Sequence, residues 1–288
     1  QRQMCIRDSI TALFMTIMIC LSLSSQNASA QQGSIILFGD SIFANPTYEQ
    51  LEDRFGKLNP YTGQGAPGKP SPQGCPQGAH TVATELQRIT GRNTINYGCP
   101  GTSAASSSTR HSFQSQVNTA IHNGDVSRAS NIIIMMGIND GVKSWYNPNA
   151  MIDPIVYEVG KKINDIKQVN PSVRITTVSY PAFSADNRTI CPVRINPLNK
   201  NTGVPLDTFA FHSIELSVDQ ALYQAARNTS SNFYDLRKST KYNNMCSPNN
   251  IRWVSGTIDT QKPHNFAGHL THVGVTGVAE ILARDVIK

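Results

Sequence analysis

Five short apolar runs punctuate the chain beyond residue 33: Ser34–Phe38 (SIILF), Thr94–Tyr97, Asn131–Met136 (NIIIMM), Val173–Ser179 (VRITTVS) and Asn232–Leu236, each closed by turn residues. The runs are continuous rather than alternating, the signature of strands buried on both faces of a parallel sheet. A different period fills the gaps. Met151–Gln168 carries Ile152, Ile155, Val156, Val159, Ile163 and Ile166 at steps of three and four, with Lys and Asp opposite, which predicts an amphipathic helix. Ala79–Ile89, Ser213–Arg227 and Thr276–Ile287 read as helices with looser stripes. Strand and helix alternate, so the predicted class is α/β with a sheet covered on both sides. Asn45–Gly78 and Pro181–Thr208 are rich in Gly, Pro and Asn, and are predicted to lack regular secondary structure. Loops leaving the C-terminal ends of parallel strands build the ligand crevice, which makes both stretches candidate substrate walls.

The N-terminus stands apart from this pattern. Residues 10–25 are an uncharged apolar run followed by Ala28-Ser29-Ala30, a small-x-small site for signal peptidase. Residues 10–30 are therefore expected to be a signal peptide, too short for a stable membrane anchor. Residues 1–9 (QRQMCIRDS) resemble a translated sequencing adaptor, an artefact outside the natural chain. The remainder, 31–288, shows neither a repeat nor a linker and is expected to be a single domain. Localisation follows as secreted and extracellular.

Composition narrows the function classes. Of 288 residues, 39% are apolar and 15% charged, enough for a core and too little charge for a disordered chain. The net charge of +6 is spread without basic blocks or interleaved aromatics, which argues against nucleic acid as a partner. Beyond residue 30 four cysteines remain, Cys75, Cys99, Cys191 and Cys246. In an exported chain they are expected to form two disulfides, with three connectivities open. Without a C-x-x-C pair a zinc site is disfavoured.

The chemistry-bearing residues follow the strands. The first runs into Gly39-Asp40-Ser41, which puts a serine hydroxyl on a tight turn at the sheet's functional edge. Asn96-Tyr97-Gly98-Cys99-Pro100-Gly101-Thr102 follows the second, where a glycine lets a main-chain N–H approach a ligand. Gly137-Ile138-Asn139-Asp140-Gly141 follows the third, with an amide able to donate to a developing oxyanion. His269-Leu270-Thr271-His272 precedes Gly277 and the final helix.

These four blocks in this order resemble the SGNH hydrolase, or GDSL esterase/lipase, superfamily, and disulfide-bearing secreted actinobacterial members in particular. The resemblance covers the chain from Ile35 to the last helix. It implies a flavodoxin-like three-layer α/β/α sandwich with a five-stranded parallel sheet, in agreement with the strand count. It implies Ser41 as nucleophile, His272 as general base, and the N–H groups of Ser41 and Gly101 with the Asn139 amide as oxyanion hole. It also implies a Cys75–Cys99 bridge bracing the oxyanion loop, which leaves Cys191 to pair with Cys246. No metal and no cofactor are implied.

One position departs from the family. The acid that usually stands three residues before the histidine is replaced by His269. The expectation is a Ser–His dyad in which a main-chain carbonyl near His269 accepts the His272 Nδ1–H; Asp259 or another acid folding back is the alternative, and an inactive descendant the third. A metal centre built from His264, His269, His272 and Asp259 does not fit the spacing of a regular helix face. The expected activity is ester hydrolysis through an acyl-serine, on a small-molecule, lipid or carbohydrate-linked acyl ester, by a monomer. A non-catalytic module that binds cell-wall carbohydrate, with Trp145, Tyr146 and Trp253 as stacking platforms, is the alternative function.

Overall fold

The computed structural model describes residues 33–51, 65–105, 111–195 and 203–287. The readings for residues 1–9 and 10–30 lie outside the described residues. The five apolar runs become strands β1 (Ser34–Gly39), β2 (Thr94–Asn96), β3 (Ala129–Met135), β4 (Arg174–Val178) and β7 (Asn232–Tyr234), in one all-parallel sheet of order β2-β1-β3-β4-β7. Their continuous apolarity is explained by burial: Ile35, Ile36, Leu37, Phe38, Ile132, Ile133 and Ile134 are wholly inaccessible.

Nine α-helices are present among the described residues: α1 (Ser41–Ala44), α2 (Val82–Thr90), α3 (Phe113–His122), α4 (Asp125–Arg128), α5 (Ile138–Lys143), α6 (Ile152–Val169), α7 (Phe209–Asn228), α8 (Leu236–Ser239) and α9 (His272–Asp285). α2 packs with α9, while α6 packs with α7 and α3, so helices cover both sides of the sheet. This is the predicted three-layer α/β/α arrangement. α2 starts at a capping box of Thr81 and Thr84, and ends at Gly91 in the left-handed conformation. α9 starts at Thr271, whose hydroxyl accepts from Gly274 N. The α3 helix was not legible in the sequence, because a buried Gln116 interrupts its apolar stripe.

Strand order sets the position of the crevice. β1 connects to β2 on one side of itself, whereas β3, β4 and β7 build away on the other. The winding reverses between β1 and β3, and such a switch opens a crevice beyond the C-terminal ends of those strands. β1 ends at Gly39 and β3 at Met135, immediately before two of the motif blocks.

Pro181–Thr208 corrects the expectation of irregular structure. It contains β5 (Thr189–Arg194) and β6 (Val204–Asp207), which pair antiparallel, and β5 also pairs parallel with β8 (Ile258–Asp259). β6 is exposed throughout and β5 is half-buried, so neither carries an apolar signal; a partner strand remote in sequence completes the sheet. Two disulfides tie the loops, Cys75–Cys99 and Cys191–Cys246. Among the described residues no helix is long and apolar enough to cross a membrane.

Two buried arginines frame the segment that leads to α9. The Arg194 guanidinium donates to the carbonyls of Met245 (2.6 Å) and Ser247 (3.0 Å). Arg252 donates to the Val254 carbonyl and grips Asp259 with two nitrogens, at 2.5 and 3.2 Å. Asp259 also accepts from Gly256 N and Gln261 N. Burial alone would raise the Asp259 pKa, but the Arg252 hydrogen bond and charge, with the two amides, hold it below the usual carboxylate range. Replacing Asp259 with Asn leaves a wholly buried guanidinium without its counter-charge. Asp259→Asn is expected to lower the unfolding free energy by about 3–5 kcal/mol, read from urea denaturation at pH 7.

Candidate active site

Ser41 opens α1 directly beyond β1. Its neighbour Asp40 caps that helix by accepting from Ile42 N at 2.9 Å. Asp40 is itself buried and receives a short hydrogen bond from the Tyr180 hydroxyl, which β4 delivers from two strands away. Burial, reinforced by the nearby Asp140 charge, outweighs the Ile42 and Tyr180 hydrogen bonds and pushes Asp40 up to about 7. Asn139, in the first turn of α5, donates to the Thr102 carbonyl at 2.8 Å and makes a 3.4 Å contact with Asp40. The first three motif blocks, from the ends of β1, β2 and β3, are therefore joined through one amide side chain.

The loop after β2 is held at several points. Gly101 adopts φ +78°, a conformation that a side chain disfavours. Asp140 accepts from Ala104 N (2.7 Å) and Ala105 N (3.0 Å), and Lys143 donates to Ser103 Oγ (2.8 Å). Asn96 donates to the Phe43 carbonyl, and Gln77 donates to the Asn96 and Gly98 carbonyls. The Cys75–Cys99 bridge fastens the same loop.

Gln116 is a site residue that sequence reasoning missed. Fully buried on α3, it accepts from Gly39 N (3.1 Å) and donates to Gly39 O (2.8 Å), bonding both main-chain groups of the residue before the Asp-Ser pair. Its amide also reaches Thr102 Oγ1 at 3.3 Å. An isolated Gln between apolar positions was the available signal, and only the fold gives it meaning.

His272 is the first residue of α9, and its main-chain N–H donates to the Pro263 carbonyl. Its ring meets the His80 ring edge-on at 5.2 Å, and its Nε2 lies 3.0 Å from Asn265 Oδ1. Burial, with the neighbouring His80 and His264, lowers the His272 pKa below that of a free imidazole. Among the described residues no hydrogen bond joins Ser41 to His272. The structure disagrees with the expected role of the His269 carbonyl: that oxygen accepts from Ser255 N (2.8 Å) and Ser255 Oγ (3.1 Å), not from His272. The His269 ring faces elsewhere too, with Nδ1 2.7 Å from the Ala267 carbonyl; burial pushes its pKa down to about 4. Nor does Asp259 fold back, because Arg252 holds it.

Other sequence candidates also find places. Trp253 packs against α9, and a Cβ on Gly274 or Gly277 would collide with it, so it is a packing residue rather than a stacking platform. Trp145 and Tyr146 follow α5 and are 64% and 78% exposed. Among the described residues the one group of His, Cys, Asp or Glu close enough to share a metal is Cys75, Cys99 and His111, and both sulfurs are spent on the disulfide. A second serine–histidine–acid grouping, Ser184, His212 and Glu215, is structural: Ser184 is buried and donates to Glu215, which also accepts from Phe183 N.

Residues 37–277 match the GDSL-like lipase/acylhydrolase family, and the chain belongs to that family. It is accordingly a hydrolase of ester bonds. The fold is similar to that of phospholipase A1 from Streptomyces albidoflavus NA297, at 14% identity, with 87% of this chain and 98% of that one covered and a TM-score of 0.51. An extracellular lipase from Streptomyces rimosus is similar to the same degree, at 14% identity, 87% and 98% coverage and a TM-score of 0.50. No curated protein matches the chain.

The Asp40 environment has a consequence for stability. Its folded pKa lies above the ordinary carboxylate value of about 3.9, so the unfolded chain releases this proton at lower pH than the native one. The Asp40 contribution therefore favours the fold below about pH 4 and is lost as the pH rises towards 7. Asp40→Asn is expected to remove this component, so that the variant's urea midpoint falls less between pH 4.5 and 7 than that of the parent.

Proposed function

We propose that the chain is a secreted serine esterase with a single catalytic domain, 31–288, that hydrolyses carboxylic esters through an acyl-serine intermediate. The observation that carries the reading is the meeting of three motif blocks beyond the C-terminal ends of β2, β1 and β3, where the Asn139 amide bonds the Thr102 carbonyl beside the turn that presents Ser41. Ser41 Oγ attacks the ester carbonyl carbon and passes its proton to His272. Negative charge collects on the former carbonyl oxygen, towards which the N–H groups of Ser41 and Gly101 and the Asn139 amide donate. The tetrahedral species collapses as His272 protonates the departing alcohol. Water, activated by the same imidazole, then attacks the acyl-serine and releases the acid. His272 suits this work because its lowered pKa leaves it neutral at pH 7.

Export is supported by the two disulfides and by the apolar run with its Ala28-Ser29-Ala30 site. The solved neighbours include a phospholipase and an extracellular lipase, so a lipid ester is within the range of substrates. We favour short-chain or carbohydrate-linked acyl esters, acted on by a monomer. The exposed Trp145 and Tyr146 beside α5 favour a second reading, a non-catalytic module that binds cell-wall carbohydrate through aromatic stacking.

The test is release of p-nitrophenol from acetate, butyrate and palmitate esters. The parent is expected to turn over acetate fastest, Ser41→Ala to be silent, and Asn139→Ala to lose about 10²–10³ in kcat. A folded parent that hydrolyses none of the three and does not label with a fluorophosphonate would favour the binding module.

A further inference from the structure

One hydroxyl serves two of the strand ends that meet at the site. Tyr180 stands two residues beyond β4, is 2% exposed, and packs its ring near that of Phe183, with centroids 6.4 Å apart. Its hydroxyl donates to Asp40 Oδ2 and accepts from Ile138 N at 3.3 Å. Asp40 is the residue before Ser41, and Ile138 is the residue before Asn139. A single buried oxygen therefore bonds the immediate neighbour of the proposed nucleophile and that of the proposed oxyanion amide.

Hydrogen-bond complementarity fixes the direction of these bonds. A main-chain N–H only donates, so the Tyr180 oxygen accepts from Ile138, and with Asp40 ionised the phenol proton goes to the carboxylate. The carboxylate is then held at both oxygens, Oδ1 by Ile42 N at 2.9 Å and Oδ2 by the phenol. Asn139 has two amide protons to place. Its Nδ2 donates to the Thr102 carbonyl at 2.8 Å, and the contact left for the other proton is Asp40 Oδ2 at 3.4 Å, beyond the roughly 2.7–3.2 Å of a good N–H···O bond. Asn139 is half-buried, whereas Asp40, Tyr180 and Asp140 are buried, so the amide is the member of this cluster that reaches solvent.

We propose that Tyr180 is a positioning residue of the oxyanion hole: by holding Asp40 and Ile138 at once, its hydroxyl keeps the second Asn139 N–H out of a firm bond with Asp40 and available to an oxyanion in the crevice. An ionised carboxylate is a strong acceptor for a neighbouring amide, and a tight bond between them would occupy that N–H before a substrate arrived. The phenol works against this in two ways. Its own O–H satisfies Oδ2, and its attachment to the buried end of β4 keeps the carboxylate from closing on Asn139. Donors set in place beforehand stabilise a developing oxyanion best, because they need not leave another partner first. The titratable groups facing Asp40 are Tyr180 and Asp140; burial and the Asp140 charge raise its pKa, while the Tyr180 bond favours the charged form.

This inference rests on the esterase reading, and its test separates the two. The ¹H–¹⁵N signals of the Asn139 side-chain amide report its hydrogen bonds without any turnover, read at about pH 8.5 so that Asp40, pushed up to about 7, carries its charge. In the folded parent one amide proton is expected downfield and slow to exchange, the other at the position of a solvated amide; two equally protected protons overturn the proposal. Tyr180→Phe keeps the ring and removes only the hydroxyl. It is expected to protect the second proton as well, and to lower kcat on p-nitrophenyl acetate about 10-fold with little change in KM. Added to Asn139→Ala, the same change is expected to cost nothing further, because the residue through which it acts is gone. An unchanged kcat in Tyr180→Phe, or its full loss repeated in the Asn139→Ala background, would assign Tyr180 a packing role only. If the amide spectra are as expected while Ser41→Ala keeps full activity, the esterase assignment fails and the Tyr180–Asp40–Asn139 arrangement stands.

Discussion

Everything at the site hangs on β1 and the hydrogen bonds it makes on both edges. The strand is buried on both faces, paired with β2 as far as Leu37 on one side and with β3 as far as Gly39 on the other, and the Gly39 carbonyl also accepts from Cys99 N at 3.2 Å. Gly39 is held further by Gln116, which bonds both its N–H and its carbonyl. Ser41 therefore follows a firmly held strand end, where the winding reverses and a crevice has to open. A serine proposed as a nucleophile gains from such rigidity because its approach geometry is set before a substrate arrives.

The histidine reaches the site by a different route. It is carried at the start of α9, after a long excursion through loops and a small second sheet. That excursion has little apolar substance, and polar contacts and a cross-link hold it: the Arg252–Asp259 pair, the carbonyls gathered by Arg194, and the Cys191–Cys246 bridge. Burying two guanidiniums is costly unless their donors find partners, and here carbonyls, amide oxygens and Asp259 give each of them four hydrogen bonds. The result is a defined path back to the mouth of the crevice, where Asn265 links α1 to α9.

The sheet and most of its helices were legible because burial on both faces leaves an unmistakable run of apolar residues, as in Ser34–Phe38 and Asn131–Met136. The helix over Phe113–His122 was not, since its buried Gln116 reads as a surface residue until its partners are known. β5 and β6 were hidden for a related reason: exposed or half-buried strands show no apolar signature, and pairing with β8 is invisible locally. Ser41, Gly101 and Asn139 could be picked out because each follows a strand in a short pattern of turn residues. Asn265 could not, for an Asn in a loop is ordinary, and its meaning comes from a carbonyl 220 positions away.

By itself the sequence determined the α/β class, the order of the blocks, the family resemblance and the candidate nucleophile, because these depend on local patterns of apolarity and turn chemistry. Only the tertiary structure decided what accompanies the histidine. It gives the His269 carbonyl to Ser255, binds Asp259 to Arg252, and sets the Asn265 amide against the imidazole. The physical reason is that a hydrogen-bond partner is chosen by complementarity of donor and acceptor across space. Residues far apart in the chain compete for the same lone pairs, and only the packed chain settles which of them meet.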